Sequence, residues 1–149
     1  MNLFDIKSAL LAKHAQHVVL VHFPIALFLT GVALEIAAPW TKPATLAAAT
    51  YANLLAAALS VPPVVATGLM AWQWQLDGQR LRGILLLHLV LGGISGVLIC
   101  IVAGLHIRAR RDPRSSLPTY CFLLEIGTAM LVALTGHLGG FLSGVNIPG

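Results

Sequence analysis

A chain of 149 residues that is 58% apolar, only 9% charged and has a mean hydropathy of +0.87 cannot clothe a water-facing surface. Soluble domains carry about 25% charged residues, so composition points to a single integral membrane domain over 1–149. The net charge of +4 comes from lysines and arginines in the short stretches between apolar runs, where orienting membrane spans accounts for them, and no nucleic-acid binding is expected.

Ahead of the first long apolar run, NLFDIKSALLAKHAQ sets Leu3, Ile6, Leu10 and Lys13 at helical spacing. Leu3, Phe4, Ile6, Leu10 and Leu11 form an apolar face with Asp5 and Lys7 off it, which predicts a short amphipathic helix on the membrane surface. MNLFDIKSAL has no basic segment before a long apolar core, so no cleavable signal peptide is expected.

Four segments, 17–38, 44–72, 83–107 and 118–142, are long and apolar enough to cross a bilayer, which takes about 20 helical residues. The first is closed by PWTKP, two prolines around an interfacial tryptophan, Trp40. Pro62 and Pro63 interrupt the second and predict a kink, because proline lacks a backbone donor and clashes with the preceding turn. All spans are expected to be helices, since lipid offers backbone groups no partner and four strands cannot close a barrel. Short connections make the fold an all-α, up-down-up-down four-helix membrane bundle.

The strongest basic cluster, Arg108, Arg110, Arg111 and Arg114, lies between the third and fourth spans, on the same side as Lys42. Lys7, Lys13, Arg80 and Arg82 lie on the other. The arginine loop is therefore placed in the cytoplasm and both termini outside, on the periplasmic side of a bacterial inner membrane.

With that topology the histidines sort by depth. His14, His17 and His22 lie at the outer mouth of the first span, His88 in the outer part of the third and His137 near the outer end of the fourth, while His106 sits at the inner end. A lone histidine is readily a hydrogen-bonded packing residue, but several at similar depth on facing helices suggest a site, because ionisable groups in spans are expensive. Imidazole is mostly neutral at pH 7 and ligates iron, zinc or copper. His17 and His22 lie about 140° apart around an ideal helix, so they do not converge on one small ion. A haem needs only two axial imidazoles from opposing helices and an apolar slot. Gly92, Gly93 and Gly96 after His88, and Gly136, Gly139 and Gly140 around His137, suit either a flat cofactor or ordinary close helix packing. Cys100 and Cys121 show no metal-binding spacing and read as small buried hydrophobes.

HVVLVHFPIALFL and TGHLGGFLSGVN resemble the opening and closing signatures of a bacterial membrane family known as domain of unknown function 2231. The resemblance covers nearly the whole chain and carries over His17, His22, Pro24, His88, Gly136, Gly139 and Gly140, with His137 matching one branch of the closing motif. Val18 stands where that family usually has proline, and no histidine follows Gly140, which leaves one ligand fewer for a second haem. The association of such relatives with Rieske-type and cytochrome c-type modules implies membrane redox chemistry and a b-type cytochrome.

Glu35 and Glu125 lie inside spans near the inner surface, where His106 and Arg108 would complete a polar cluster. It reads either as a helix-locking salt bridge or as a proton path or quinone headgroup site.

The expectation is a haem b-binding subunit carrying one haem, or two, with His22 and His88 as the axial pair and His17 and His137 as a second pair or as polar partners. It would pass electrons between the quinone pool, quinone being a further ligand, and a periplasmic cytochrome c or Rieske-type protein. It would work beside other membrane subunits of a respiratory or photosynthetic complex and be non-catalytic by itself. Two alternatives are a cofactor-free structural anchor and a non-haem metal or ion-handling membrane protein.

Overall fold

The computed structural model describes residues 15–41, 43–75, 78, 80–112 and 117–143. The expected amphipathic surface helix, His14 and Lys42 lie outside these residues. The elements are α1 (Ala15–Leu20), α2 (His22–Ala37), a 3-10 turn (Ala38–Trp40), α3 (Pro43–Gln75), α4 (Gly83–Arg111) and α5 (Cys121–Leu142). They give four helical stretches long and apolar enough to cross a membrane: Gln16–Trp40, Ala44–Trp74, Gly83–Arg111 and Cys121–Leu142.

The first stretch is one span with a flaw near its start. Pro24 has no N–H to give to the carbonyl one turn back, and the helix is interrupted at Val21, just ahead of it. His17 and His22 therefore sit on separate helical pieces. Pro62 and Pro63, by contrast, lie inside α3, which continues through both. The last span begins at Cys121 rather than at 118, because the Pro118 carbonyl accepts the Cys121 N–H at 2.8 Å in a turn that precedes the helix. Between α3 and α4 the chain uses left-handed backbone at Gly78 (φ 61°) and Gly83 (φ 55°), a conformation glycine adopts without steric cost.

The spans pack in a closed ring: α2 on α3, α3 on α4, α4 on α5, and α5 back on α2. This is the expected antiparallel bundle, with the first and third spans diagonal. Its centre is Phe28, Val32, Leu54, Ala57, Ile99, Val102 and Val132. Large apolar residues also cover the outside, Leu59, Leu123 and Met130 being 69%, 72% and 70% exposed. Thr50, Ser95, His106, Glu125, Thr128 and Thr135 are instead buried. Apolar outside and polar inside is the pattern of a bundle whose solvent is lipid.

Candidate functional site

Two groups of polar side chains lie inside the bundle, one near each end of the spans. At the end formed by the starts of α1 and α4 and the finishes of α3 and α5, His17 and His88 are half-buried and close enough to interact electrostatically. They come from the diagonal first and third spans, which the up-down topology brings level.

Each imidazole is anchored through its Nδ1. His88 Nδ1 lies 3.1 Å from the Thr135 carbonyl oxygen, which can only accept, so Nδ1 carries the proton. His17 Nδ1 lies 3.3 Å from Thr67 Oγ1. The Thr67 hydroxyl gives its own proton back to the Pro63 carbonyl at 2.9 Å, so it accepts from His17. With the proton on Nδ1, Nε2 of each ring keeps a lone pair able to ligate. Nδ1–H bonded to an oxygen with Nε2 open is how ligating histidines are oriented.

Each ring also rests on a glycine of a neighbouring helix. A Cβ placed on Gly68 would lie 2.9 Å from His17 Cε1, and one on Gly139 would lie 3.1 Å from His88 Cε1. Both separations are tighter than ordinary carbon–carbon contact, so only glycine admits the rings in these positions. Ser95 and Thr135 tie α4 to α5 beside His88, their hydroxyls 3.3 Å apart.

At the opposite end, His106 Nε2 donates to Glu125 Oε1 at 2.7 Å and lies 3.6 Å from Glu35 Oε2. Cys121, one helical turn before Glu125 on α5, donates its thiol proton to the same Oε1 at 3.3 Å. Glu35, Glu125 and His106 thus converge from three spans.

A family model described as a predicted membrane protein (DUF2231) matches residues 13–145. The chain belongs to the DUF2231 family. No curated protein matches it and no solved structure does. The DUF2231 match takes in every residue of both clusters.

Not all the histidines expected at the outer end of this DUF2231 chain join the site. His22 is exposed, and its Nδ1 is bonded to the Val18 carbonyl of α1, four residues back, at 2.6 Å. It is not drawn to His88, the partner expected for it; His17, about 140° away around the helix, is the one that lies near His88. His137 is also exposed, edge-on to Phe141 with ring centroids 5.0 Å apart, and makes no pair with His17. Arg108 is exposed and forms no ion pair with Glu35 or Glu125, unlike His106 two residues earlier on another face of α4.

Thr67, Gly68 and Cys121 escaped the sequence reading as participants, and Thr135 entered it only as the first residue of the closing motif. The only local trace of them was spacing, Cys121 standing four before Glu125, and Thr67-Gly68 four after Pro63.

Proposed function

We propose that this DUF2231 chain is a haem b-binding membrane subunit that moves electrons between the quinone pool and a redox protein on the side of His17 and His88. The observation that carries the reading is the pair itself: two half-buried imidazoles from diagonal spans, each with Nδ1 tied to an oxygen so that the lone pair lies on Nε2. Haem asks for two such nitrogens in apolar surroundings, and the residues present fit it. His17 and His88 are the residues that would hold the haem iron, in place of His22 with His88. Bound haem supplies reversible one-electron transfer.

The chain's own residues do the holding. Thr67 and the Thr135 carbonyl keep each imidazole in the tautomer that ligates, and Gly68 and Gly139 let the rings lie close against α3 and α5. Electron-rich partners on Nδ1 also raise ligand basicity and so tune the potential. With His22 and His137 exposed, the reading takes one haem inside the bundle. Partners are proposed as further membrane subunits and a cytochrome c or Rieske-type protein, and the location as a bacterial inner membrane with both termini periplasmic.

A pyridine haemochrome assay on chain purified from haem-replete cells is the test. One haem b per chain is expected, lost in His17→Ala and His88→Ala and kept in His22→Ala. Folded wild-type protein without haem refutes the reading and favours a cofactor-free anchor. Haem that is lost with His22→Ala and kept with His17→Ala refutes the ligand assignment.

A further inference from the structure

A helix-locking ion pair explains only part of the cluster at the other end. His106 and Glu125 suffice for such a lock, yet Glu35 and Cys121 also point at it. Glu125 is 0% exposed and Cys121 2%, and the Oε2 atoms of both Glu35 and Glu125 are buried with no hydrogen-bond partner. Two carboxylates facing one imidazole leave at least one acidic group without a counter-charge. Burying an unpaired carboxylate in an apolar interior costs several kcal/mol.

We propose that His106, Cys121, Glu125 and Glu35 form a binding site for one divalent transition-metal ion, zinc or iron(II) by class, separate from the paired histidines. The donor set is one imidazole nitrogen, one sulfur and two carboxylate oxygens. Nitrogen and sulfur select against magnesium and calcium and suit a tetrahedral borderline metal. The ligand atoms of His106, Cys121 and Glu125 already lie within 4.8 Å of one another. A tetrahedral site with bonds of about 2.0–2.3 Å needs them about 3.3–3.8 Å apart, so side-chain adjustments of about 1 Å close it. Cys121 and Glu125 share one face of α5 at i and i+4, which leaves only the approach of α2 and α4 to complete the set.

Charge and access agree with an ion rather than a larger ligand. A dication answers the excess of carboxylate and engages the bare Oε2 atoms, and its binding releases the thiol proton. Glu35 has 25% of its side chain exposed, close before the turn at Ala38–Trp40, and is the one open flank. That opening suits an ion, whereas a quinone ring does not reach the enclosed Glu125.

The test is a titration of the purified full-length chain in detergent with cobalt(II) alone, followed by zinc competition. Expected are one ion per chain, tetrahedral d–d bands and a thiolate-to-cobalt charge-transfer band displaced by zinc. Cys121→Ser removes the charge-transfer band, and His106→Ala and Glu125→Gln each weaken binding by at least about tenfold. His17→Ala with His88→Ala leaves the titration unchanged, so this result stands apart from the haem assay. Should Glu125→Gln not fold, Cys121→Ser and the partly exposed Glu35→Gln carry the measurement. Absence of stoichiometric binding to folded wild-type chain overturns the proposal, as does binding that survives these replacements or vanishes with His17 and His88.

Discussion

Replacing Gly68 with alanine adds one methyl group directly under the His17 ring. The new Cβ would lie 2.9 Å from Cε1, 3.3 Å from Nδ1 and 3.5 Å from Nε2. Carbon atoms rest comfortably at about 3.5–4.0 Å, so the imidazole has to retreat by at least about 0.5 Å. Its bond to Thr67 is already 3.3 Å long and does not survive that movement. Losing it costs about 1 kcal/mol, and crowding of this kind costs about 1–3 kcal/mol. Alanine returns about 1 kcal/mol over glycine inside a helix. The fold should therefore lose no more than about 1–3 kcal/mol, while His17 loses both its seat and its orientation. With His17 as the proposed haem ligand, this displacement should weaken haem retention by about tenfold or more. Haem per chain and thermal unfolding in detergent, measured on the same preparations, separate the two effects. Gly104→Ala is the control, because a Cβ there meets nothing within 4 Å. Full haem content and an unaltered spectrum in Gly68→Ala would refute the reasoning, and so would an equal loss in Gly104→Ala.

Glu125→Ala should lower stability by about 1–3 kcal/mol, seen as a fall in Tm, because it removes the 2.7 Å hydrogen bond of the buried His106 and leaves only the more distant Glu35, at 3.6 Å. An unchanged Tm would mean that the pair contributes nothing to the bundle. Gly31→Ala puts a Cβ 2.9 Å from Leu54 Cδ2 and 3.1 Å from Cγ, against a side chain that is itself buried, and should destabilise by about 1–3 kcal/mol in unfolding measurements. Neutralising Arg108, Arg110 and Arg111 together should produce chains of mixed orientation, read by labelling single cysteines placed at each end of α4. It also removes the stacking of Arg110 on Tyr51, 4.5 Å from the ring centroid. Uniform orientation in that variant would show that these arginines do not set the topology.

The spans were legible because length and hydropathy are local sums. The limits 17–38 and 44–72 fall within a few residues of Gln16–Trp40 and Ala44–Trp74. The same count set His17, His22, His88 and His137 in the outer half and His106 at the inner end, but within the outer half it matched His22 with His88 and His17 with His137, whereas His17 is the one that lies near His88. The choice among His17, His22 and His137 was not legible. It depends on the rotation of each helix about its own axis, which packing against the other spans sets and local spacing does not. Cys121 read as a small hydrophobe because it has no metal-binding spacing to another cysteine or to a histidine, and Glu125 stands a full turn away.

The sequence by itself determined that this protein is four apolar helices in a membrane, with polar side chains at two depths, since an apolar run too long for anything but a span leaves no other fold open. Only the tertiary structure decided which side chains meet. Seating His17 on Gly68 and His88 on Gly139, and turning Cys121, Glu125, Glu35 and His106 toward one point, are consequences of how α2, α3, α4 and α5 interlock. Contacts between distant segments have no signature in local hydropathy.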